Sequence, residues 1–308
     1  MDPATERVVY VGSTSDYTAG KTGAFFKSTD GGATGKTLLQ GITVRDIDID
    51  PLHPDILYVT CGINALTPPG IVKSTDGGHT WTWKNRGMQL SWEERPGVLV
   101  MHPVQPKTLY AGTGGIFGGT IYKSENGGEQ WRPIDPPAAL DPLEGGVISI
   151  VLDPADPNII YAGTSWGGGI HKSADGGHTW QLAGLEDTGL IHDLVIPPDS
   201  PATVLAAVYG SARKNGVFAS RDGGATWQEA NSGLPDTVGV WDIESTSREI
   251  FIVAREGVYR SPWQPVHWES IAWEKNPEDL TYTTIKILED RDMLLVGTDG
   301  YGLYELTF

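Results

Sequence analysis

Short apolar runs, separated by turns rich in Gly, Pro, Asp and Asn, fill the chain, and no run sustains the period of an amphipathic helix. Residues 146–183 show the repeating unit. Residues 146–152 form a β-branched run suited to a strand buried on both faces. A turn over 153–158 leads to a second strand at 159–164, and a Gly-rich loop at 165–169 leads to a third at 170–173. The segment Ser173-Ala174-Asp175-Gly176-Gly177-His178-Thr179-Trp180 then turns the chain into a fourth strand at 179–182. Leu140–Gly145, Asn231–Pro235 and Pro262–Asn276 read as connecting loops, the last with an irregular outer strand.

The turn segment recurs, with starts at 28, 74, 124, 173 and 220 and a worn copy at 261, a spacing of 41 to 50 residues. Such a period marks a repeat architecture, and four short antiparallel strands per repeat predict the blades of an all-β propeller. Third strands fall at 25–27, 71–73, 121–123, 170–172, 217–219, 258–260 and 303–305, which makes seven. Second strands also number seven, but first and fourth strands number six each. The expectation is a single β-propeller domain of seven four-stranded blades, the first lacking its innermost strand and the last its outermost. The blades run over about 1–41, 42–88, 95–137, 145–187, 189–236, 238–275 and 280–308. Two incomplete neighbours predict a weak seam; six blades with rearranged terminal strands is the alternative.

Composition narrows the function classes. The 308 residues carry a formal charge of −17, which opposes binding to nucleic acid or to anionic membranes. Cys61 is the one cysteine, so no intramolecular disulfide framework is possible. Residues 1–7 lack an apolar signal core and no apolar run has the length of a membrane span. A soluble, cytoplasmic protein is expected from the chain as given, or an exported one if this form is processed.

With its frame Ser-x-Asp-x-Gly-x-Thr-Trp, the turn resembles the Asp-box, or bacterial neuraminidase repeat, of sialidases, xyloglucanases, sortilin-type receptors and photosystem II assembly-factor propellers. The copies at 28, 74, 173 and 220 match closely, although Gly35 stands where Trp is expected; the copy at 124 has Asn126 for Asp and Gln130 for Thr. The resemblance implies that the boxes lie on the face opposite the active site. Asp30, Asp76, Asn126, Asp175 and Asp222 therefore read as hairpin staples, with Trp81, Trp131, Trp180 and Trp227 packing against neighbouring strands.

No metal or cofactor is expected. Asp46, Asp48 and Asp50 have the spacing of calcium ligands, but Pro51 replaces the required Gly and the alternation is that of a strand; Asp193 and Asp242 echo it. The seven histidines show no paired ligand spacing. Function is expected where second-to-third-strand loops and inter-blade loops gather at the channel mouth. Ligand-binding candidates there are Arg45, Trp92, Arg95, Phe117, Trp166, His192, Tyr209, Trp241, Tyr282 and Tyr301, with Asp16, Tyr17, Arg213 and Lys214 on the same loops. Glu93, Glu94, Glu144 and Asp299 are the carboxylates a glycoside hydrolase would need in a pair. The Arg-Ile-Pro context of sialidases is missing, and xyloglucanase-like enzymes use two propellers. The sequence therefore points to a non-catalytic binding or assembly scaffold for a glycan or protein ligand, with a glycoside hydrolase as the alternative.

Overall fold

The second strands of the predicted units are apolar on both faces, and in the computed structural model each of them after the first unit lies inside its sheet with a neighbour on each side, while that of the first unit is an edge strand among the described residues. Residues 7–14, 22–62, 69–91, 94–114, 118–134, 145–211, 214–236, 238–271, 281–288, 292–299 and 302–308 are described. Among them there are strands and turns only, and no helix is long and apolar enough to cross a membrane.

Seven sheets follow one another along the chain. The first holds β1 (Val9–Gly12), β2 (Ala24–Ser28) and β3 (Lys36–Gln40). The second holds β4 (Thr43–Ile49), β5 (Leu57–Gly62), β6 (Gly70–Ser74) and β7 (Thr82–Trp83). The third is β8 (Arg95–Met101), β9 (Leu109–Gly114), β10 (Ile121–Ser124) and β11 (Arg132–Pro133). The fourth is β12 (Val147–Leu152), β13 (Ile160–Thr164), β14 (Ile170–Ser173) and β15 (Gln181–Leu182). The fifth is β16 (Leu190–Val195), β17 (Val204–Ser211), β18 (Lys214–Ser220) and β19 (Gln228–Glu229). The sixth is β20 (Val240–Ser245), β21 (Glu249–Ala254), β22 (Gly257–Pro262) and β23 (Glu269–Ser270). The seventh is β24 (Tyr282–Leu288), β25 (Met293–Thr298) and β26 (Gly302–Thr307). Every sheet is an antiparallel meander, and the fold is that of a seven-bladed β-propeller. The first and last blades have three strands each among the described residues, as the strand count predicts.

The chain divides into two compact units, Met1–Ile150 and Val151–Phe308. In each, the core lies between successive sheets. In the first unit Tyr10 and Phe25 pack with Val44, Leu57, Val59 and Cys61, and Tyr58 and Ile71 pack with Leu99, Leu109 and Trp131. In the second, Phe251 and Val253 pack with Ile285, Leu294 and Val296.

The recurring turn has a buried hub, and that hub is its serine. Ser28, Ser74, Ser124, Ser173 and Ser220 are all buried. Each hydroxyl donates to the Asp or Asn two residues on and accepts from the N–H of the second glycine, at 2.7–3.0 Å and 2.8–2.9 Å. In four copies the carboxylate also accepts the backbone N–H and the hydroxyl of Thr34, Thr80, Thr179 or Thr226. The threonine bonds are the largest cause holding these aspartates below the usual carboxylate range, to about 2 for Asp30 and Asp222. Ser261 stays fully buried in the worn copy, where it accepts from His267 N.

The same turn receives the preceding blade. Tyr58 Oη and Lys73 Nζ both donate to Gly127 O, at 2.9 Å and 3.2 Å, and Lys73 Nζ sits 5.0 Å from the Tyr58 ring centroid. Tyr161 and Lys172 hold Gly223 O in the same way, and Lys27 holds Gly77 O. These Tyr–Lys pairs are cross-strand partners on second and third strands. At the same register the fifth blade pairs Leu205 with Ala219, and the turn that follows it, at 261–268, is the copy without the Gly pair. Donors and acceptor are thus lost together, which leaves no lone buried ammonium.

Candidate functional site

The innermost strands carry β-bulges at Val44/Asp46, Pro96/Val98, Ile191/Asp193, Val240/Asp242 and Tyr282/Thr284. A bulge leaves one residue out of the ladder and re-aims its side chain. The residues so placed are Arg45, Gly97, His192, Trp241 and Thr283, three of which are candidates from the sequence.

Beside three of these bulges, those at Val44/Asp46, Ile191/Asp193 and Val240/Asp242, acids reach the next innermost strand. In the first unit Asp46 accepts Leu99 N at 2.7 Å and Asp48 accepts Met101 N at 2.6 Å, each also capping the residue after it. Asp50 is buried and accepts Leu52 N and His53 N. The three acids with calcium-like spacing therefore spend oxygens on backbone N–H groups, two of them on the exposed edge of the following sheet. In the second unit Asp193 accepts Ile243 N at 3.3 Å, and Asp242 accepts Ile285 N and Thr284 Oγ1 at 2.8 and 2.7 Å. Glu244 pairs with Lys286.

Asp193 lies against Asp242, and its carboxyl is held well above the usual range. Burial is the main cause, then the charge of Asp242 and a hydrogen bond with it, with Glu244 adding to the effect. Burial also raises Glu244, while the charges of Glu244, Asp242 and Asp193 raise the Lys286 ammonium, whose side chain is more than half exposed. Burial lowers His192, with Asp242 pulling the other way. A carboxyl whose folded pKa is raised contributes stability that is complete below its unfolded pKa and is lost as pH rises through the folded one. The turn aspartates, with lowered pKa values, act in the opposite sense and lose their contribution in acid. Asp193→Asn keeps a donor for Asp242 and an acceptor for Ile243 N. Chemical denaturation across pH should show the wild type losing stability relative to this variant as pH rises above the ordinary carboxyl range. Parallel curves would mean that Asp193 does not hold a proton there.

The sequence candidates separate into groups. His192, Tyr209 and Trp241 come together: Tyr209 stacks on Trp241 at 4.1 Å between ring centroids and His192 meets it edge-on at 5.0 Å. Gly239 permits this, because a Cβ there would lie 2.2 Å from Tyr209 Cδ2. Trp241 Nε1 is buried and has no acceptor among the described residues. Tyr282 sits in the core, 2% exposed. Glu94 accepts Thr113 Oγ1 and Tyr122 Oη, and its own N–H caps on Ser91, so it ties a loop down. Arg45 and Asp299 are exposed, and Arg95 has a buried Nε without a partner among the described residues. Trp92, Glu93, Phe117, Glu144, Tyr301, Asp16, Tyr17 and Arg213 lie outside the described residues. Two features escaped sequence reasoning, the Glu244–Lys286 pair and the Tyr–Lys clamp. The signal for the first was the alternation Asp242-Ile243-Glu244 against Thr284-Ile285-Lys286; for the second, a Lys before each intact turn serine at 28, 74 and 173.

Trp166 stands apart. It is 69% exposed and has φ 59°, in the left-handed region that costs a side chain with a Cβ. Its loop, between β13 and β14, is bound at several points. Thr164 N and Oγ1 donate to Gly169 O, and His171 Nε2 contacts Gly168 O at 3.0 Å. Ile170 N donates to Gly184 O, and Asp187 N to Gly167 O, fastening the loop to the segment after β15. A Cβ at Gly169 would lie 2.6 Å from Gly184 O, so the two backbones meet where only glycine fits. Leu185 and Asp187 in that second segment also have positive φ, 59° and 57°. Three of the four non-glycine residues with positive φ among those described thus belong to one pair of loops.

No protein-family model matches the chain, and no curated protein matches it by sequence. Solved structures do match by fold. The GH74 enzyme of Niastella koreensis is 20% identical with TM-score 0.59 over 100% of this chain and 48% of that one. YCF48 from Cyanidioschyzon merolae is 17% identical with TM-score 0.67 over 99% and 97%. YCF48 bound to D1 peptide is 14% identical with TM-score 0.66 over 98% and 97%. The chain spans less than half the length of the GH74 enzymes it matches. At these identities the likeness is one of fold.

Proposed function

We propose that this chain is a non-catalytic binding scaffold of the Asp-box propeller type, with its ligand held by blade loops and not by the turn aspartates. Trp166 carries this reading. A tryptophan in a left-handed, multiply bonded loop costs about 1–2 kcal/mol of backbone strain and leaves a large apolar face in water. Glycine or asparagine would serve the fold better at that position, so the indole is placed there for something outside the chain. Two points speak against the hydrolase alternative. Glu94 is engaged within its own loop, and the similar GH74 enzymes have more than twice this chain's length. The YCF48 structure bound to D1 peptide, matched over nearly its full length, supports a protein ligand.

Trp166→Gly should abolish ligand capture on a combined peptide and glycan array while leaving the unfolding midpoint unchanged or raised, since strain is relieved. Loss of more than about 1 kcal/mol of stability would make Trp166 a packing residue. Turnover of aryl glycosides, abolished by Glu94→Gln, would overturn the non-catalytic reading.

A further inference from the structure

The loop that carries Trp166 lies against an acidic segment. The backbones of its loop and of the segment after β15 are joined by the Asp187 N–H donating to Gly167 O, and a Cβ at Gly167 would lie 3.8 Å from Asp187 Cα. Glu186 and Asp187 are both exposed there. Burial lowers the pKa of His171, whose Nε2 contacts Gly168 O in the same loop, with that contact and Glu186 pulling the other way. An aromatic face beside a carboxylate suits two kinds of ligand, a sugar or a cationic side chain. A neutral sugar gains nothing from long-range charge, whereas a cation is drawn by the chain's formal charge of −17. Among cations, a guanidinium is planar, stacks on an indole and presents donors in a fork to a carboxylate.

We infer that the two loops of the fourth blade form a recognition site for an arginine side chain of a protein partner, its guanidinium face on Trp166 and its edge toward Asp187. This rests on the binding reading above and names the chemistry of the ligand. Asp187 is in the left-handed conformation, which asparagine tolerates as well as aspartate does, so Asp187→Asn removes the charge without disturbing the loop.

The test follows the indole Nε1–H resonance of Trp166, assigned by its loss in Trp166→Gly. Three probes are titrated: blocked arginine peptides, the same peptides with citrulline in place of arginine, and a neutral β-glucan oligosaccharide. Arginine peptides should shift the signal saturably, citrulline peptides should bind at least about tenfold more weakly, and Asp187→Asn should weaken arginine binding by about the same factor. The affinity should also fall as salt is raised. Equal responses to arginine and citrulline would overturn the inference. A response to the oligosaccharide alone would overturn it too, yet would leave the binding scaffold standing. If no probe, and no ligand on the broader array, responds in a manner dependent on Trp166, both readings fall.

Discussion

Trp131→Ala is expected to destabilise the first unit by about 3–5 kcal/mol, the range for emptying a buried aromatic site. Trp131 is 2% exposed and packs among Tyr58, Ile71, Leu99 and Leu109, residues from two successive sheets. Its indole Nε1 donates to Lys84 O at 2.7 Å, and its backbone N–H donates to Arg86 O at 2.9 Å. One residue therefore fills the space between two blades and satisfies a carbonyl just beyond the fourth strand of the earlier blade. Trp131→Phe separates the two roles: it retains most of the apolar contact, loses the indole donor, and should cost about 1–2 kcal/mol. Denaturant melts of the three proteins give the comparison. A cost below about 1 kcal/mol for the alanine variant would show that the seam is held elsewhere, with the Tyr58–Lys73 clamp on Gly127 O as the next element to change.

Gly87→Ala should match that loss through a different mechanism. Gly87 has φ 93°, and a Cβ there would lie 2.1 Å from Trp131 O and 3.1 Å from its carbon. The obstacle is backbone, so no rotamer change can relieve it. Left-handed strain of about 1–2 kcal/mol, overpacking of about 1–3 and the weakened bond from Trp131 N to Arg86 O together predict about 3–5 kcal/mol. Gly233 repeats the arrangement against Trp268 O at 2.2 Å with φ 91°, so Gly233→Ala should behave alike in the second unit. Gly97→Ala is the control: nothing lies within 4 Å of its Cβ, and a change under about 1 kcal/mol is expected. Equal effects at Gly87 and Gly97 would sink the argument, because they would reduce the cost to a general property of glycine substitution.

The turn serines change how the repeat is understood. The aspartates draw the eye in the sequence, but they hold the exposed half of the turn. The hydroxyls of Ser74 and Ser173 sit inside, joining carboxylate to glycine N–H, and Ser261 keeps that position after its turn has lost both Asp and glycines. The glycine carbonyl, facing outward from this knot, is what Tyr and Lys of the preceding blade seize. A local turn is thereby also a point of attachment between sheets.

Strand order, blade number and the three-stranded first and last sheets seen among the described residues were legible from the chain alone. Each depends on local properties: apolar runs such as 57–62, turn residues at fixed offsets, and a repeat that can be counted. Arg45, His192 and Trp241 could be chosen as unusual residues at the starts of innermost strands, but not the bulges that re-aim them. A bulge is a mismatch between two strands, and neither strand contains it alone. Tyr282 looked available for a ligand and lies in the core, because burial of a tyrosine depends on the sheet that covers it. Likewise the alternating acids were visible, while the raised pKa of Asp193 was not. That shift depends on burial and on Asp242, from the next blade along the chain, being brought against Asp193. Sequence determined the elements and their number because hydrophobic period and turn chemistry are short-range; the tertiary structure decided which side chains meet, because solvation and charge act through space.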